Sequence, residues 1–102
     1  MSDIKTLEQR AMEIRRKYDE LDKSRTGQPW NAAKLARGFK KDVSELLTIV
    51  EQDMIDRKKI SHELGDCLWS VLVISRKLDI DIERAFWTRM AEIEQRFGDG
   101  KA

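Results

Sequence analysis

The chain has 102 residues, enough for one small domain, and its surface-to-volume ratio leaves a thin core that another subunit would thicken. Twenty basic against nineteen acidic residues give a net charge of +1, and no Lys/Arg cluster runs free of interleaved Asp or Glu beyond three or four residues, which argues against nucleic acid as a partner. The single cysteine, Cys67, leaves no disulfide framework or Cys-rich zinc site within one chain and fits a reducing cytoplasm; the longest uncharged apolar run, Cys67 to Ser75, is far too short to cross a membrane.

Apolar residues recur at spacings of three and four through most of the chain, which predicts an all-α protein: a four-helix bundle in a single domain, residues 1–102, completed by oligomerisation as a homodimer or homotetramer. Ile4, Leu7, Ala11, Ile14, Tyr18 and Leu21 predict a first helix over 3–23. The breaker cluster SRTGQPWN at 24–31, with the only proline, closes it. Leu35, Phe39, Val43, Leu46, Leu47, Val50 and Met54 predict a second helix over 32–56, and DRKK marks a charged turn. Ile60, Leu64, Cys67, Leu68, Val71, Ile74 and Leu78 predict a third over 59–78. Asp81 is placed to cap a fourth, 82–97, carrying Ile82, Ala85, Phe86, Met90, Ile93 and Phe97, with Gly98 at its end.

The candidate chemistry lies on the second and third helices. On a helical wheel Asp42 and Glu45 fall to one side of their apolar stripe, at offsets of roughly 80° and 140°. Glu63 and Asp66 fall at the same offsets from the stripe of the third helix. If these helices pack antiparallel, the acid pairs converge along one edge of the core. Four converging anions repel one another and lose hydration together, costs that a hard divalent cation such as Mg²⁺ offsets. Ordinary solvated helix faces remain the other reading of such pairs. Lys40 and Lys41 could neutralise Asp42 and Glu45, and a Lys or Arg could pair with Asp66, the only charge between Leu64 and Ser75.

The stretches GFKKDVSELL and ELGDCLWSVLVIS, with LDIDIERAF after them, resemble the MazG-like all-α nucleoside triphosphate pyrophosphohydrolases over roughly residues 28–97. The family pattern is E-E-x-x-E on one helix and E-x-x-D on the next. The second half stands here as Glu63 and Asp66; the first is altered to Lys41, Asp42 and Glu45. The resemblance implies Mg²⁺, with Mn²⁺ as a substitute, held by Asp42, Glu45, Glu63 and Asp66, and catalysis by Glu45, Glu63 and Asp66. The implied reaction cleaves a (d)NTP or damaged nucleotide between the α and β phosphates. Lys41, Arg89 and Arg96 are the expected phosphate contacts, although Glu92 and Ile93 stand where the family's last helix often has Lys and Asn.

Trp30 is the aromatic best placed to stack on a base, with packing against the start of the second helix as the alternative. Trp69 and Trp87 read as core or interface residues, Cys67 as core filler and His62 as a surface histidine or one that supports the site. Lys41 motivates a second functional reading, a nucleotide-binding or regulatory protein that keeps the fold without turnover. A purely structural oligomer, the third, requires Asp66 to pair with Lys or Arg.

Overall fold

Each of the four helices begins at an Asp or Asn whose short side chain accepts a backbone N–H of the first turn. The computed structural model describes residues 3–26 and 31–98. Asp3 opens α1 (Ile4–Thr26), its Oδ1 accepting from Thr6 N at 2.9 Å and from Thr6 Oγ1 at 3.0 Å. These bonds hold its carboxyl below the usual range. Asn31 opens α2 (Ala32–Val50), accepting from Lys34 N at 2.9 Å. Asp56 opens α3 (Arg57–Lys77), accepting from Lys59 N at 3.1 Å, and Asp81 opens α4 (Ile82–Gly98), accepting from Arg84 N at 3.0 Å. A cap of this kind contributes about 1 kcal/mol over alanine.

The end of α3 is equally specific. Asp79 adopts the left-handed conformation, φ 55°, so that Ile80 N donates to Ser75 O at 2.8 Å and Asp79 N to Arg76 O at 3.2 Å. This six-to-one and five-to-two pairing turns the chain into α4 with the last carbonyls satisfied.

The all-α class holds: among the described residues there are four helices and no strand. The second helix stops at Val50, not at residue 56. Residues 51–55 are exposed, Met54 at 83% and Ile55 at 61%, and Asp56 starts the next helix at Arg57. The first helix runs on to Thr26.

Helix α3 is central. It pairs most extensively with α2 and carries α1 on another side. Both neighbours run antiparallel to it: Asp42 meets Ser70 while Glu45 lies beside Glu63, and Glu8 meets Arg76 while Ala11 meets Trp69. Among the described residues Ala11, Leu35, Leu72 and Val73 form the buried apolar core, with Ile4, Met12, Trp69, Ile74 and Ile82 packed around them. Burying a leucine of this kind contributes roughly 2–3 kcal/mol.

Helix α4 buries none of its residues completely, and Phe86, Trp87 and Phe97 stand more than half exposed. Trp87 is therefore not core within this chain; its ring meets Phe86 edge-to-face at 5.3 Å. The Cα radius of gyration, 16.5 Å, exceeds the roughly 13 Å of a compact domain of this length, as expected for a helix lying beside the packed body. No helix among the described residues is long and apolar enough to cross a membrane.

Candidate metal centre

Spacing of three places Asp42 and Glu45 on one face of α2, and Glu63 and Asp66 on one face of α3; the antiparallel register then brings the two faces together. One oxygen from each of Asp42, Glu45 and Glu63 lies within 4.8 Å of the others. A ligand atom from each of His62, Glu63 and Asp66 meets the same limit. Glu63 belongs to both groups and is the hinge of the site.

Burial and mutual repulsion act on these carboxylates together. Desolvation raises the pKa of Asp42 above the ordinary range, the charges of Asp66 and Glu45 raise it further, and the Ser70 hydrogen bond and Lys41 oppose them. Desolvation likewise raises Glu63, assisted by Glu45, Asp66 and Asp42 and opposed by His62. Ser70 Oγ donates to Asp42 Oδ2 at a long 3.4 Å, and His62 Nε2 lies 3.3 Å from Asp66 Oδ2. Glu63 Oε2 is shielded from solvent and has no hydrogen-bond partner among the described residues.

Among the described residues, no Lys or Arg forms an ion pair with any of the four carboxylates. The pairing of Asp66 with Lys or Arg required of a purely structural role is thus absent there, and Lys40 and Lys41 do not neutralise Asp42 and Glu45 by direct contact. The donor set fits a hard divalent ion: several converging carboxylate oxygens, one of them buried and unpartnered, with excess negative charge. Asp66 is less secluded than its apolar neighbours in sequence imply. Its side chain is 47% exposed, because Leu64 and Leu68 turn outward and Asp66 itself borders a cleft.

Cys67 is half-buried beside this site, and burial followed by the charges of Asp42, Glu63 and Asp66 pushes its thiol pKa up. It therefore stays protonated, which suits packing and not metal ligation.

The cleft beside Asp66 holds about 670 Å³ between α1, α2 and α3. Lys41, Asp42, Asp66 and Ser70 stand on its carboxylate side, while Tyr18, Leu35 and Trp69 supply apolar and aromatic walls. Trp69 Nε1 donates to Ala11 O at 3.1 Å, and its ring meets Tyr18 at 6.1 Å and 61°. Arg15 lies beneath both rings, 5.5 Å from the Tyr18 centroid and 5.8 Å from that of Trp69, and is held by Asp19 at 2.9 Å and Asp22 at 3.2 Å.

Sequence patterning alone passes over Ser70, Tyr18 and Arg15. Ser70 was within reach of the wheel, since it lies four residues after Asp66 and seven after Glu63 on the same face. Arg15 and Tyr18 carried no such signal, because their place depends on how α1 docks.

The remaining expected contacts are dispersed. Lys41 lies in the cleft, whereas Arg89 pairs with Glu92 at 2.9 Å and faces a separate shallow groove on α4, and Arg96 stands in the last turn of that helix. Trp30 lies outside the described residues.

Residues 31–99 match the MazG nucleotide pyrophosphohydrolase domain, a span holding all four carboxylates. The chain belongs to this family. The MazG match begins at the cap of α2, so α1, with its wall of the cleft, stands outside it. Comparison with curated proteins returned no match, and comparison with solved structures returned none.

Proposed function

We propose that this MazG chain is a Mg²⁺-dependent nucleoside triphosphate pyrophosphohydrolase, with Mn²⁺ as a substitute, acting on a (d)NTP or a damaged nucleotide. The observation that carries the reading is the buried, unpartnered Oε2 of Glu63 within a carboxylate cluster that opens onto an aromatic-walled cleft. Asp42, Glu45, Glu63 and Asp66 would hold the ion. When bound, it supplies charge neutralisation at the phosphates and a water of lowered pKa.

The other steps belong to the chain's own groups. Lys41 offers an ammonium to the phosphates from the cleft side of Asp42. Glu45, Glu63 and Asp66 surround the reacting region, where a carboxylate is within reach of the proton of the attacking water. The water oxygen bonds to the α phosphorus as the bridging bond to the β phosphate breaks. Pyrophosphate leaves with the bonding pair, and the water's proton passes to a carboxylate.

Pyrophosphate release from a nucleotide panel, with and without Mg²⁺, tests the proposal on wild type and Asp66→Asn. Release that needs the metal and collapses in the variant supports it. Metal-dependent stabilisation without release from any nucleotide would sink it and leave the second reading, a nucleotide-binding or regulatory protein. Lys41, an ammonium where the family pattern has a carboxylate, is the residue that favours that second reading. Turnover gained by Lys41→Glu and absent from wild type would decide for it.

A homodimer or homotetramer is part of the proposal. Val43, Leu47, Val50, Leu64 and Leu68 stand 43–55% exposed along one edge of the α2–α3 pair, more apolar surface than an isolated small domain comfortably carries. In such an assembly a second copy could bring Arg89 and Arg96 towards the carboxylates. Light scattering that reports a monomer at working concentration would remove this part.

A further inference from the structure

The carboxylate cluster has openings on two sides, and their chemistry is opposite. One is the aromatic cleft beside Asp42 and Asp66, which Tyr18 and Trp69 wall. The other, about 510 Å³, lies where α2 gives way to the first turns of α3 and is lined by Ile49, Asp56, Lys58, Lys59, His62 and Glu63. Asp42 and Asp66 border the first opening and Glu63 the second, so a ligand reaching from one to the other passes the converging oxygens.

A nucleoside triphosphate has the same polarity as this surface, with a flat aromatic end, a chain of phosphates and a terminal anion. Among the described residues neither the Lys58 nor the Lys59 ammonium has an ion-pair partner. Among the described residues that line this opening the carboxylate apart from Glu63 is Asp56, whose Oδ1 is occupied in capping α3 through Lys59 N. His62 adds a second face, with Nε2 turned to Asp66.

We infer that the opening formed by Lys58, Lys59 and His62 is the pyrophosphate subsite, and that the cleft walled by Tyr18 and Trp69 takes the nucleoside end. The inference rests on the hydrolase reading and adds a direction to it. With the nucleoside on the α1 side and the β and γ phosphates towards the start of α3, the α phosphate lies at the carboxylates. Cleavage there separates the products into two openings, from which they can leave independently.

The two products probe the two openings separately, by calorimetry in Mn²⁺ or Mg²⁺ with inorganic pyrophosphate and with a nucleoside monophosphate. Removing two exposed ammonium contacts in Lys58→Ala/Lys59→Ala should weaken pyrophosphate binding about fivefold to tenfold. Monophosphate binding should stay within about twofold, the precision of such a comparison. Tyr18→Ala should do the reverse. Lys5→Ala/Lys17→Ala, the same charge loss on the exposed face of α1, controls for net charge and should leave both affinities unchanged.

Pyrophosphate binding indifferent to Lys58 and Lys59, equal loss of both products in either variant, or no binding of either product to wild type would each overturn the inference. Nucleotide turnover in wild type is measured alongside. Turnover with lysine-independent pyrophosphate binding removes the subsite and leaves the hydrolase; lysine-dependent binding without turnover removes the hydrolase and leaves the subsite.

Discussion

Along one edge of the α2–α3 pair Asp42, Glu45, Glu63 and Asp66 gather with no Lys or Arg among the described residues to pair them, while along the next edge Val43, Leu47, Leu64 and Leu68 stand 44–55% exposed. The edges are built from neighbouring residues, Asp42 beside Val43 and Glu63 beside Leu64, a turn of about 100° around each helix. Every one of these α2 positions has its chemical counterpart 21 residues later on α3. Both edges are incomplete within one chain, for opposite reasons. The acid edge carries charge that folding alone leaves uncompensated, and the apolar edge carries surface that folding alone leaves wet. A ligand answers the first and a second protein surface the second.

Glu63 is where the acid edge depends most on a single side chain. Glu63→Gln keeps the shape and removes the charge that both ligand groups share, so turnover should fall by about a hundredfold or more, the scale of losing one charge-stabilising group at a reacting phosphate. Single-turnover pyrophosphate release measures it. A loss below tenfold would mean that the acid edge is not the reacting edge.

Leu72 lies on neither edge and sets the scale for the core, being 4% exposed among Ala11, Leu35 and Val73. Leu72→Ala should cost about 3 kcal/mol by urea unfolding. Leu47→Ala, at a residue 55% exposed, should cost well under 1 kcal/mol at concentrations where the protein is monomeric. A Leu47→Ala cost that rises with protein concentration is the signature of the apolar edge being covered by another copy.

Metal should stabilise only through the acid edge. At a hundred times its dissociation constant Mg²⁺ should add about 2.7 kcal/mol, read as a rise in Tm. Asp66→Asn should lose most of that rise, and Leu47→Ala should keep all of it.

How much of this was legible in sequence follows from the range of the interactions involved. The carboxylate pairs lie three residues apart on their own helices and share an offset from an apolar stripe, so local periodicity exposes them before any tertiary contact is known. The cap at Asp81 is equally local. The seam through Met54 misled, because periodicity records which residues could share a face and not whether anything lies opposite that face; residues 51–55 stand exposed. Arg15, Tyr18 and Trp69 form the cleft only once α1 lies antiparallel on α3, more than fifty residues away in sequence, and Trp69 proves to be core support and cleft wall at once. Arg89 and Arg96, the expected phosphate contacts, lie on α4, where Arg89 pairs with Glu92 and Arg96 stands in the last turn, and among the described residues neither forms an ion pair with the four carboxylates.

The smallest expected effect tests the acid edge from the stability side. Desolvation and the charges of Asp66 and Glu45 raise the pKa of Asp42, so without metal the folded protein holds that proton more tightly than the unfolded chain does. The stability this supplies is complete below the ordinary carboxylate range and is lost as pH rises through the raised folded value; Glu63 acts in the same direction. With chelator present, wild type should therefore give up stability between mildly acidic and neutral pH. Asp42→Asn, which can still accept from Ser70, should lose less over that interval and melt slightly above wild type at neutral pH, by less than about 1 kcal/mol since the group is partly solvated. Adding Mg²⁺ should invert the order, because the asparagine is a weaker ligand for a hard cation. If Asp42→Asn stays above wild type at every Mg²⁺ concentration, the repulsion among these carboxylates serves no ion, and the acid edge is only a strained surface.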